Sequence, residues 1–208
     1  MTMPVPHLRR GAIARVDPIA GVVPLSLAVF QYNPAELSRT LTPAEAGGHP
    51  RAGSVPQETL SMRVELDAAD QLERGGQGSA RASIYPALSA LERLICPSAA
   101  VTLANFALSR LGAIEVIPPL PPVAVLLWGI RVLPVRLTQL GVKETAFDSS
   151  LNPIRGEVDL SLRVLSYQDL GWLHAGTFLY LANQLRREVF AGIEASSAVS
   201  AAASTLAP

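Results

Sequence analysis

Two pairs of carboxylates stand two residues apart, Glu65 with Asp67 and Glu157 with Asp159. That spacing puts both members on one side of an extended strand, where they could do acid–base work or hold a divalent ion. Each pair also has an arginine on its own face, Arg63 and Arg163, so solvated or cross-strand ion pairs fit the same pattern. The other reactive residues form no constellation. There is no Gly-x-Ser-x-Gly elbow, and His7, His49 and His174 lie far apart, in no metal spacing. Gly76-Gln77-Gly78 suggests a phosphate-cradling loop, but Arg81 stands where the dinucleotide fingerprint has its third glycine, and no Gly-Lys-Ser/Thr follows. Cys96 ends an apolar helical pattern and reads as buried packing rather than a nucleophile. Trp128 and Trp172 read as core or interface anchors. These residues predict neither an enzyme nor a cofactor.

The elements that carry the carboxylates are strands. Residues 59–67 alternate Leu60, Met62, Val64 and Leu66 with Ser61, Arg63, Glu65 and Asp67. Residues 157–165 alternate Val158, Leu160, Leu162 and Val164 with Glu157, Asp159, Ser161 and Arg163. Both predict half-buried strands with their charges outward. Residues 22–33 also follow period two, and Asn33-Pro34 stops them. Further strands are predicted at 123–128, 132–140 and 141–147, with 148–153 as a connection. Ile84, Leu88, Leu91, Leu94 and Ile95 fall at helical spacing, and Pro86 sits in the first turn, where a missing N–H costs nothing. Leu179, Ala182, Leu185, Val189 and Phe190 mark a second helix, while residues 98–117 fit either a short helix or a strand with a turn.

The fold class is therefore α+β, mainly antiparallel β, with one embedded helix and a C-terminal helix. An N-terminal arm (1–21) precedes a β domain (22–170), a helical extension (171–195) and an Ala/Ser tail (196–208) that should fray.

Composition narrows the function classes. The chain has 208 residues, 49% hydrophobic and 16% charged, which excludes intrinsic disorder. Seventeen basic residues balance seventeen acidic ones, so nothing pulls the whole chain toward nucleic acid or an anionic membrane. One cysteine excludes an intramolecular disulfide and a multi-cysteine zinc site. The first fifteen residues hold arginines without the apolar core of a signal peptide. The apolar stretch between Glu115 and Arg131 has fifteen uncharged residues and four prolines, too short and broken to span a bilayer. A soluble protein of a reducing compartment is expected, with part of its apolar surface covered by other subunits.

Three ordered segments carry a family resemblance: Val29-Phe30-Gln31-Tyr32-Asn33-Pro34 with Leu37 and Arg39; Ile84-Tyr85-Pro86-Ala87-Leu88 with Ala90-Leu91-Glu92; and a long run from Trp128 to Leu170. That run holds Leu133-Pro134-Val135-Arg136-Leu137, Glu144-Thr145-Ala146-Phe147-Asp148, Leu151-Asn152-Pro153-Ile154-Arg155 and Leu162-Arg163-Val164-Leu165-Ser166-Tyr167. Together they resemble the contractile injection system tube-protein domain of phage-tail-like particles, over roughly residues 9–170. The resemblance implies a split β-barrel of the tail-tube type. It also implies a homohexameric ring at the base of the inner tube that joins the spike (hub) to the tube and templates tube assembly. Partners would be sibling copies, tube protein, spike and other baseplate components, with no nucleic acid and no membrane insertion. Synthesis and assembly would be cytoplasmic, and the finished particle released or membrane-docked. Several members add a LysM-type module; here a helix and an Ala/Ser tail stand in its place, which leaves a structural role alone.

Two regions follow as assembly or core-anchoring elements: the corner Phe30, Tyr32, Asn33 and Pro34, and the connection from Phe147 to Asn152 and Pro153. The polar faces with Arg63, Glu65, Asp67, Glu157, Asp159 and Arg163 would line the lumen or mate with adjacent rings. A free-standing baseplate or cap adaptor, with Leu179, Leu185 and Val189 as helix-in-groove anchors, is the alternative. A cell-wall hydrolase built on the carboxylate pairs is a further one.

Overall fold

The computed structural model describes residues 10–16, 24–43, 45–46, 49–50, 55–69, 83–96, 99–112, 122–171 and 173–206. Its strands are β1 (Ala12–Val16), β2 (Pro24–Val29), β3 (Leu37–Thr42), β4 (Glu45–Ala46), β5 (His49–Pro50), β6 (Gln57–Asp67), β7 (Val123–Trp128), β8 (Arg131–Phe147) and β9 (Pro153–Val164). The helices are α1 (Tyr85–Glu92), α2 (Ala99–Arg110) and α3 (Ala175–Leu206). Seven strands form one antiparallel sheet in the order β2-β1-β7-β8-β9-β6-β3, and β4 pairs with β5 as a separate ribbon.

The alternating strands fold as their pattern requires. β6 and β9 pair with Leu60 opposite Leu162, Met62 opposite Leu160 and Val64 opposite Val158, so their apolar rows share one buried face. A one-residue slip would turn both rows to solvent, which pins the register. Each fully buried Leu or Val contributes roughly 1.5–3 kcal/mol relative to exposure.

The main core gathers Ile13, Ala28 and Phe30 with the β6–β9 rows and with Leu88 and Leu91 of α1. Residues from both ends of the sheet therefore meet over one helix. A second cluster, Val16, Val123, Val125, Leu165 and Leu170, packs on Val132 and Leu179. β7 is thus buried on both faces from Val123 to Leu126, which accounts for its unbroken apolar run.

Several expectations change. The sheet does not close into a barrel. β2 and β3 are its two edges, although they follow one another in the chain, and the segment between them crosses from one edge to the other. α2 adds a second helix between strands, so the expected single embedded helix is incomplete. β1 arises within residues assigned to the arm and lies between β2 and β7. The strands expected at 132–140 and 141–147 are one 17-residue strand, whose irregularity falls between Leu137 and Gln139 rather than at Gly141. α3 continues through the Ala/Ser tail to Leu206, because alanine is the best helix former. Cys96 is exposed: α1 ends at Glu92, and in the following turn Leu94 takes the buried position. The glycine loop at 76–78 and Trp172 lie outside the described residues. Among the described residues no helix is long and apolar enough to cross a membrane.

Candidate assembly surface

The polar face of β6 and β9 brings most of the expected charges together. Register sets Arg63 opposite Asp159, Glu65 opposite Glu157 and Asp67 opposite Arg155. Arg63 Nε donates to Asp159 Oδ1 at 2.8 Å, and its Nη1 lies 3.8 Å from Glu157. That bond and the two carboxylate charges raise the Arg63 pKa further above its ordinary value. Lys143 on β8 also stands 3.8 Å from Glu157, and Arg155 Nε donates to Asp67 Oδ2 at 2.8 Å. The carboxylates are thus threaded with cations, and among the described residues no group of three or more His, Cys, Asp or Glu is placed to hold a metal. Arg163 stands apart: it donates to Asp169 at 2.7 Å, and Asp169 also accepts from the Ser166 N–H and hydroxyl in the turn after β9.

β3 covers only part of β6. Their pairing begins at Leu37 opposite Met62, so among the described residues Arg63 to Leu66 have no strand partner on that side. A hollow of about 510 Å³ lies there, bordered by Glu36, Ser38, Arg63, Glu65 and Asp159. Gln31 bonds the backbone of β6 where the uncovered stretch ends. Its Nε2 donates to the Asp67 carbonyl at 2.6 Å, and its Oε1 accepts from the Asp67 N–H at 3.0 Å.

The expected aromatic corner divides. β2 ends at Val29, and Phe30 is 1% exposed, packed on Trp128 with ring centroids 6.3 Å apart. Its N–H donates to the Gly11 carbonyl, while the Gly11 N–H donates to Asn33 Oδ1 at 2.8 Å. A Cβ on Gly11 would come within 2.8 Å of both aromatic rings, so glycine is required by this close approach. Phe30 therefore holds the corner from inside, Asn33 ties it from the exposed side, Pro34 is half-buried, and Tyr32 stays 42% exposed.

In the β8–β9 connection Asp148 is the organiser. Its Oδ1 accepts from the N–H groups of Ser150 and Asn152, and Asn152 Nδ2 donates to its Oδ2. The Asn152 side-chain bond, with these backbone bonds, holds the Asp148 carboxyl below the usual carboxylate range. Leu151 takes a positive φ of 62°, a conformation unusual for a branched residue that this bonded turn maintains. Phe147 is exposed at the hairpin and Pro153 is buried beneath it, where its carbonyl accepts from the Ile84 N–H.

A further group went unread in the sequence. Glu58 is 4% exposed and accepts at 2.6 Å from Arg39 Nε of β3 and at 2.6 Å from Arg187 Nη2 of α3. The signal was its parity, since Glu58 continues the inward row of Leu60, Met62, Val64 and Leu66. Asn183 and Arg186 of α3 donate to the carbonyls of Val132 and Ile130. With Tyr180 in the main core, these bonds fasten α3 across the strand ends. The outer side of α3 is apolar as well: Phe178, Leu181, Leu185, Val189 and Ile193 are all exposed. On the edge strand β2, Leu27 and Val29 are exposed too.

Compared with known proteins, the chain matches no family model and no curated protein sequence.

Proposed function

We propose that this chain is a structural subunit of a contractile injection system, forming a tail-tube-like ring at the base of the inner tube that joins the spike to the tube and templates its growth. The reading draws on the ordered resemblance, and its carrying observation is the open sheet with two edges. Unpaired edges invite pairing with other chains, and β2 presents Leu27 and Val29 beside its free edge. A ring covers such edges through heterologous contacts that close by rotation. The mixed-sign face of β6 and β9 suits a wall or a stacking surface that stays hydrated without holding cargo tightly. In this role the chain is not an enzyme. Co-expression with the tube and spike proteins of its own particle tests the role: six-fold rings at the spike–tube junction in negative-stain images support it.

A free-standing adaptor recruiting partners through α3 is the second reading, favoured by the apolar outer side of that helix. Its anchors would be Phe178, Leu185 and Val189, because Leu179 packs against the second core cluster. Removing the whole helix would strip Tyr180 and Arg187 from the fold, so the double substitution Leu185→Glu, Val189→Glu is the cleaner test. Loss of partner binding with ring formation intact favours the adaptor.

A further inference from the structure

A cavity of about 290 Å³ opens between β3, the β7–β8 turn and α3, and its wall includes Arg39, Arg131, Arg186, Arg187, Glu58 and Phe190. Four arginines and one carboxylate line it, in a chain whose net charge is zero. Glu58 spends one oxygen on Arg39 and the other on Arg187. A carboxylate offers about four acceptor sites against about twenty N–H donors on four guanidiniums, so Glu58 cannot exhaust them. The Arg39 and Arg187 side chains are only 32% and 33% exposed, and Arg186 is held by the Ile130 carbonyl. These cations are partly desolvated and already oriented, so an incoming anion finds its donors arranged in advance. Beside them Phe190 and Ile130 offer exposed apolar surface, 51% and 60% accessible.

We infer that this cavity binds a carboxylate flanked by apolar side chains on a peptide segment of a partner protein. The arginine fork recognises the carboxylate, and Phe190 with Ile130 covers its neighbours. Inorganic phosphate would leave that apolar surface uncovered. A nucleic acid would need a basic stripe to follow its backbone, which a chain of zero net charge is poorly supplied to offer. The inference stands independently of the ring, since any partner carrying such a segment fits.

Fluorescence anisotropy with the full-length chain tests it, using a labelled peptide of alternating leucine and glutamate and its leucine–glutamine counterpart. The acidic peptide should bind saturably, at least about tenfold more tightly than the neutral one, and weaken with salt. Arg131→Gln with Arg186→Gln should cost about tenfold or more, while Arg110→Gln on α2 should change nothing. Phe190→Ala keeps every charge and should also weaken the acidic peptide, so it decides the matter if the double variant does not fold. Equal binding of the two peptides would overturn the proposal. So would affinity unchanged in Phe190→Ala, or phosphate binding at the cavity with no peptide binding.

Discussion

Gln31 takes the place of a strand against Asp67, its carboxamide giving and receiving one hydrogen bond with the Asp67 backbone. The stretch of β6 that β3 leaves uncovered ends at this contact, which also ties the β2–β3 crossing to the opposite side of the sheet. One side chain thus links the two ends of an unclosed sheet.

Gln31→Ala should destabilise the fold by about 1–2 kcal/mol, since it leaves both Asp67 backbone groups without their partner. Gln31→Glu keeps an acceptor for the Asp67 N–H but sets a carboxylate oxygen against the Asp67 carbonyl, so it should destabilise the fold as well. Urea unfolding reads both values, and amide exchange at Asp67 should speed up in Gln31→Ala, which removes the acceptor of its N–H.

The Arg39–Glu58–Arg187 group fastens α3 to the sheet. Changing both arginines to Met strands a buried carboxylate and should cost about 3–5 kcal/mol. Adding Glu58→Met should recover most of that loss, because apolar residues of similar volume substitute well for a buried ion group. A triple variant no more stable than the double would refute this assignment.

Asp148 carries the pH dependence of the β8–β9 turn. Its folded pKa lies below the ordinary 3.8, so its contribution is complete above that value and is lost as pH falls through the folded pKa. Asp148→Ala should lower Tm by about 2–4 °C at neutral pH. The gap from wild type should close as pH drops from about 4 to about 2.

Arg63 separates folding from assembly. Its ion pairs are exposed, so Arg63→Gln should shift Tm by no more than about 1–2 °C. Arg63→Glu sets a third carboxylate beside Asp159 and Glu157, and should impair ring stacking or cargo passage while the monomer stays folded. Normal assembly and injection by this variant would remove the polar face from the proposed contact.

Half-buried elements were legible in the sequence because burial alternates along them, as in β6 and β9. Strands buried on both faces were legible only where the apolar run is unbroken, as in β7. β1 hides Ala12, Ile13, Ala14 and Val16 alike and shows no period. α2 buries none of its residues, so its apolar side chains follow no core-facing stripe. The Ala/Ser tail reads as low complexity, yet alanine extends α3 by propensity alone. At the site, cross-strand pairing of Arg63 with Asp159 followed from parity once the register was known. Arg187 could not be matched to Glu58 from spacing, because 129 residues separate them in the chain.

The most direct measurement is the mass of the complex formed when the full-length chain is co-expressed with its tube and spike partners and analysed by mass photometry with negative-stain imaging. A six-copy ring bound between spike and tube is the predicted result. A stable monomer that never enters the particle would contradict the account.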